Sequence, residues 1–137
     1  ECMNTTLILI TGMFFMASCA TTTKFPVSDI TPAATIKASK KKDNNGNYKI
    51  SVEANSLSSA DRLNPPKKVY VVWITTAQNG IKNIGQLKNK NAKKATLETV
   101  TSFEPEEIFI TAEEEGNISY ASGPEISRVS VGDNPES

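Results

Sequence analysis

Apolar and polar side chains alternate with a period of two along much of this chain, the mark of strands that bury one face. Ile36 and Ala38 form one such set, and Tyr48, Ile50, Val52 and Ala54 another. Between them lies Lys42-Asp43-Asn44-Asn45-Gly46-Asn47, whose Asn-Gly pair suits the positive backbone angles of a hairpin turn, so the two sets predict a first hairpin. Beyond Pro65 and Pro66, the run Val69-Tyr70-Val71-Val72-Trp73-Ile74 is apolar on both faces and rich in β-branched residues, which predicts a central strand. Asn79-Gly80 turns it into a strand from Ile81 to Lys88. A Lys/Asn-rich loop leads to strands at Ala95 to Thr101 and Glu106 to Glu113, then to a turn at Glu114-Glu115-Gly116-Asn117. The last strands fall at Ile118 to Ala121 and Ile126 to Val131.

No stretch in this body has helical periodicity. The pattern predicts an all-β fold: an immunoglobulin-like antiparallel β-sandwich of about seven strands. It covers residues 34–131, has Trp73 in its core, and leaves 132–137 as a disordered tail. With 137 residues, the chain has material for one such domain.

Leu7 to Ala17 is apolar over about the length of a signal-peptide core, well short of the ~20 residues that a membrane-spanning helix needs. Small residues then lead into Met16-Ala17-Ser18-Cys19, followed by Ala20-Thr21-Thr22-Thr23-Lys24. This resembles the bacterial lipobox, with Met16 standing where leucine is more usual. The resemblance implies cleavage beyond Met16, Ala17 and Ser18, with residues 1–18 as signal peptide and lipid on Cys19. At ~0.8 kcal/mol per buried methylene, one acyl chain holds only marginally, and two or more hold stably. Residues 19–33, rich in Thr, Ser and Pro, are expected to be a flexible tether. No lysine or arginine lies between Met3 and Leu7, and the chain opens on Glu1. The expectation is that a basic start lies upstream of Glu1, or that Met3 begins an atypical signal. No acidic pair follows Cys19 closely, so the expected location is the bacterial cell envelope, at the outer membrane and facing the periplasm.

The formal charge is zero, from 15 basic and 15 acidic residues, which removes the usual electrostatic argument for nucleic acid. Its distribution is uneven. Lys24 to Lys94 carries 14 basic and 4 acidic residues, whereas Ala95 to Ser137 carries 1 and 10. Solvated outward strand positions are the preferred reading, beside a dipolar domain that steers a charged partner or pairs head to tail with a copy of itself. Histidine is absent, so imidazole catalysis has no residue here and zinc catalysis loses its commonest ligand. Cys2 and Cys19 are the only cysteines, so the body offers neither a disulfide nor a thiol nucleophile.

Three segments, Val69-Tyr70-Val71-Val72-Trp73-Ile74, Ile84-Gly85-Gln86-Leu87 and Phe109-Ile110-Thr111-Ala112-Glu113, together with Gly116, Gly123 and Pro124, carry a further likeness. Residues 67–126 resemble the extracytoplasmic C-terminal domain of anti-sigma-K-type regulators. In that family a cytoplasmic helical domain grips a sigma factor and a transmembrane helix joins it to the outer sandwich. Neither is visible here, so the resemblance implies a cell-envelope module that senses or binds something, without its signalling half.

Candidate sites are sparse. Asp43-Asn44-Asn45-Gly46-Asn47 alternates oxygen ligands as a calcium loop does, yet lacks the bidentate glutamate that should follow, and a plain hairpin turn is preferred. Glu113, Glu114 and Glu115 would hold a cation only if they converged; strand neighbours point apart, so a solvated turn is preferred. Lys40, Lys41 and Lys42 suit either anionic lipid and acidic glycan or, the preferred role, protection of a sheet edge. Tyr70, Trp73, Phe103 and Tyr120 suit a sugar platform less well than a core. Serines and lysines are plentiful, but nothing singles out a catalytic pair. The expectation is therefore a lipid-anchored, non-catalytic binding or interaction module, without cofactor or metal. Its partners are the membrane through Cys19 and an envelope protein or glycan. The alternatives are the sensing half of an anti-sigma regulator truncated at its N-terminus, with Leu7 to Cys19 in a membrane span, and a self-associating structural envelope protein.

Overall fold

The computed structural model describes residues 20–91 and 93–132. The expected signal peptide, Cys19 and the end of the tail from residue 133 lie outside the described residues. The strands are β1 (Ala20–Lys24), β2 (Thr35–Lys42), β3 (Tyr48–Asn55), β4 (Val69–Thr76), β5 (Gly80–Gln86), β6 (Lys88–Asn91), β7 (Lys94–Thr101), β8 (Glu107–Glu113) and β9 (Glu125–Ser130). One 3-10 turn, Ala60–Arg62, precedes β4. All pairings are antiparallel, in a five-stranded sheet of order β1-β2-β3-β7-β6 and a four-stranded sheet of order β5-β4-β8-β9. This is a β-sandwich, with nine strands among the described residues rather than about seven.

Period-two alternation explains the layers. Ile36, Ala38, Ile50, Val52, Ala54 and Ala95 of the larger sheet share one buried cluster with Tyr70, Val72, Ile74, Ile108, Ile110, Ala112 and Ile126 of the smaller. Burying each large aliphatic chain contributes roughly 1.5–3 kcal/mol, and this layer holds the sheets together. The first hairpin forms as the sequence predicts: Asp43 Oδ1 accepts from the backbone N–H of Asn45 and Asn47 at 2.9 Å, and Gly46 takes a φ of 84°. Asn79-Gly80 likewise joins β4 to β5.

Four expectations are corrected. Residues 20–33 are no tether: β1 pairs with β2 from Ala20↔Lys41 to Lys24↔Lys37, and Phe25 is buried in the inter-sheet cluster. The polar composition that suggested a linker belongs to a strand solvated on its outer side. The strand expected at 81–88 is two elements, because the chain leaves one sheet after Gln86, buries Leu87, and joins the other sheet as β6. Residues 118–121 form no strand; they belong to a loop described below. Lys40–Lys42 protect no edge, since β2 is flanked by β1 and β3. Lys40 instead points inward, 6% exposed, and its Nζ donates to the Val131 carbonyl at 2.7 Å.

Candidate functional site

The β5–β6 crossover and the segment around Ala60–Arg62 leave an open cleft of about 660 Å³ at one end of the sandwich. Arg62, Lys68 and Lys88 line it, with the side-chain amides of Gln86, Asn89 and Asn91, and no carboxylate is among its lining residues. Tyr70 from β4 lines it too; its hydroxyl donates to the Ser58 carbonyl at 2.6 Å. Burial, reinforced by the negative charge of Asp61, pushes that phenol up to about 12. Tyr70 thus stays a neutral hydrogen-bonding wall at physiological pH. The arrangement presents three cations, three amides and one aromatic ring to the cleft.

A second cluster occupies the far side of the four-stranded sheet. Val71, Trp73 and Phe109 project away from the inter-sheet core, because they alternate with Val72, Ile74, Ile108 and Ile110, and they are nevertheless buried. Trp73 is therefore core, though in a separate layer from the one where the immunoglobulin-like expectation placed it. The loop after β8 folds back as a flap, setting Ile118 and Ala121 on this cluster. Asn83 Nδ2 donates to the carbonyls of Gly116 at 2.9 Å and Ile118 at 2.8 Å.

Glu113 ties the flap shut. Its Oε2 accepts from Thr111 Oγ1 at 2.5 Å and from the backbone N–H of Ser122 and Gly123 at 3.1 Å, while its Oε1 accepts from Ser122 Oγ at 2.9 Å. Trp73 Nε1 donates to Thr111 Oγ1 at 2.8 Å, completing a relay from indole to carboxylate. Burial alone would raise this carboxyl, but the bonds from Thr111, Gly123 and Ser122 together outweigh it and hold the group below the ordinary carboxylate range. Gly123 is needed for the approach, since a Cβ there would lie 1.8 Å from the Ala112 carbonyl oxygen. Among the described residues no group of carboxylates is placed to hold a metal ion.

The structure separates the other predicted candidates. Glu113 is buried while Glu114 and Glu115 are exposed, so the three do not converge and only the latter two match the solvated turn. The aromatic set is dispersed: Tyr70 lines the cleft, Trp73 is under the flap, Phe103 stacks beneath Lys82 at 4.9 Å, and Tyr120 is 72% exposed. The three segments behind the anti-sigma likeness become β4, the end of β5 with Leu87, and β8, which are neighbours in one sheet apart from Leu87.

The uneven charge acquires a geometry. Outward positions of the five-stranded sheet, read from register, carry Lys24, Lys37, Lys41, Lys49 and Lys94 against Glu53 and Glu98. The far side of the other sheet carries Glu107 and Glu125 around Arg128, whose Nη1 donates to Glu107 at 2.5 Å and Nη2 to Glu125 at 2.9 Å, while the flap's Glu114 and Glu115 are exposed and Glu114 lies 3.7 Å from Lys67 Nζ. Sequence reasoning registered the imbalance but missed the cleft, whose residues come from separated stretches with no shared motif.

These features define the class as a two-sheet antiparallel β-sandwich with an outer flap. Compared with protein-family models, with curated proteins and with solved structures, the chain matches none.

Proposed function

We propose that this chain is a lipid-anchored, non-catalytic binding module of the bacterial cell envelope, and that its cleft takes an acidic saccharide. The observation that carries the ligand class is the cleft lining: Arg62, Lys68 and Lys88 beside three amide side chains, without a carboxylate. Cations pair with a uronate or similar acid group, and amides match sugar hydroxyls as both donors and acceptors. The anchor rests on Met16-Ala17-Ser18-Cys19.

Two measurements test the two halves separately. Mass spectrometry of the N-terminal peptide from membrane-extracted protein should find an acylated Cys19, and the Cys19→Ala form should be mislocalised but folded; an unmodified Cys19 ends the anchoring reading. Calorimetric titration with an oligogalacturonate should show binding that a neutral oligosaccharide lacks. Arg62→Ala with Lys88→Ala should weaken it by at least about tenfold, since hydrogen bonds to charged groups contribute about 1.5–3 kcal/mol each. Equal behaviour of acidic and neutral sugars would discard the ligand class.

The opposed charge of the two outer faces favours a second reading, a structural protein that associates head to tail with itself. That association should weaken with salt as the Debye length shrinks to ~3 Å at 1 M. A monomer at every salt concentration by light scattering rejects it.

A further inference from the structure

We propose that the outer face of the five-stranded sheet is a docking surface for an anionic lipid bilayer; this deepens the anchoring reading above and rests on it. Two cross-strand pairs start the argument. Lys24 lies directly opposite Lys37, and Lys41 directly opposite Lys49, and all four are exposed. Like charges at such positions destabilise a sheet, whereas a carboxylate or threonine in either place would relieve the repulsion. A surface that keeps both pairs is arranged for an external anion.

The acids on this face are already engaged. Glu53 accepts from Asn55 Nδ2 at 3.0 Å, lies 3.6 Å from Lys94 Nζ and sits opposite Lys37 on the β2–β3 ladder, while Glu98 lies 3.8 Å from Lys49 Nζ. Lys24, Lys37 and Lys41 form no salt bridge among the described residues. Their neighbours on the face, Thr22, Ser39 and Ser51, are short and polar. Val100, opposite Lys49 on β7, is an exposed apolar side chain of the same face, so the lysine-bearing part of the surface is what rests against headgroups.

Continuity with the anchor selects a bilayer over a soluble polyanion. Strand β1 begins at Ala20, the residue after Cys19, and Ala20 pairs with Lys41. Neighbouring strands lie ~4.8 Å apart, so lipid on Cys19 would hold the Lys41 end of this sheet close to the headgroups, within about one Debye length, ~8 Å at physiological salt. Each lysine near such a surface strengthens attachment about fivefold, at roughly 1 kcal/mol apiece. Glu107, Glu114, Glu115 and Glu125 on the opposite side are repelled by the same field, so the domain is oriented as well as held.

The test uses the full natural chain in vesicles of phosphatidylcholine alone, or with about 30% phosphatidylglycerol to mimic an anionic leaflet. Amine-reactive labelling is read by mass spectrometry at each lysine. On anionic vesicles Lys24, Lys37 and Lys41 should label severalfold more slowly than on neutral ones, Lys68 and Lys82 should not change, and high salt should erase the difference. Lys24→Glu with Lys41→Glu should abolish it while Trp73 fluorescence shows the fold intact. Equal labelling on the two vesicles overturns the proposal. So does protection of these lysines by added polygalacturonate but not by phosphatidylglycerol, or their protection by self-association in the absence of vesicles. Acylation of Cys19, scored in the same spectra, reports on the anchor independently. An unmodified cysteine with the lipid contrast intact sinks the anchor alone, and an acylated one without the contrast sinks the docking face alone.

Discussion

The two sheets treat their outer faces in opposite ways. Each gives one face to the shared core, but the four-stranded sheet buries the Val71, Trp73 and Phe109 part of its second face beneath the chain's own flap, whereas the five-stranded sheet leaves its second face to solvent. The difference begins in composition. Strand β4 is apolar at successive positions, Val71, Val72, Trp73 and Ile74 all being buried, while β2 and β3 alternate apolar with Lys, Ser and Glu. A strand apolar on both faces must find two covers. Here the second cover is a loop held by the Glu113 carboxylate and the Asn83 amide, and this polar network specifies one closed arrangement where a merely apolar contact would permit several. The solvated face is under no such constraint, so its composition is free to serve an outside partner.

That contrast can be broken most sharply at Trp73. Trp73→Ala should cost about 3–5 kcal/mol in urea unfolding, as loss of a buried large aromatic does; a cost below ~1 kcal/mol, typical of a surface change, would show that the flap layer adds nothing. Next in size is Gly123→Ala, expected to lose about 3 kcal/mol through the clash with the Ala112 carbonyl. It should also move the emission of Trp73, the only tryptophan, to longer wavelength as the flap lifts.

Glu113→Gln should cost about 1–3 kcal/mol, because an amide cannot accept from every donor that now surrounds the carboxylate. It also has a pH signature. The folded carboxyl lies below its unfolded value of about 4.3, so its contribution is complete at neutral pH and fades as pH falls through and below that value. Unfolding curves of the natural chain should lose stability on acidification over this range by more than those of Glu113→Gln; parallel losses would remove Glu113 from the explanation. The smallest effect has the opposite sign. Lys24→Glu should stabilise the isolated domain by roughly 0.2–1 kcal/mol by replacing a like-charge pair with an attractive one. Destabilisation there would mean that Lys24 and Lys37 are not in conflict.

Much of the sandwich was legible in the residues. The hairpin at Asp43–Asn47, the turn at Asn79-Gly80 and the strands β2, β3, β4, β7, β8 and β9 follow from alternation and from turn residues with positive φ, which are local properties. Ile118 to Ala121 misled because its short apolar pattern is what a strand shows, yet its backbone bonds run to Asn83 and Ser122's to Glu113 instead of to a ladder. Thr21 to Lys24 misled in the other direction: a strand solvated on its outer side and rich in threonine has the composition of a linker.

The sequence by itself determined the class of fold, the positions of the two Asn-Gly hairpin turns and the double-sided burial demanded of β4, because each is written in neighbouring side chains. Only the tertiary structure decided which layer holds Trp73, that Glu113 closes a flap, that Lys40 turns inward to the Val131 carbonyl, and that Arg62, Lys68 and Lys88 meet around one cleft. Those outcomes depend on contacts between residues far apart in the chain, and burial and charge at such positions are set by what the fold brings alongside them.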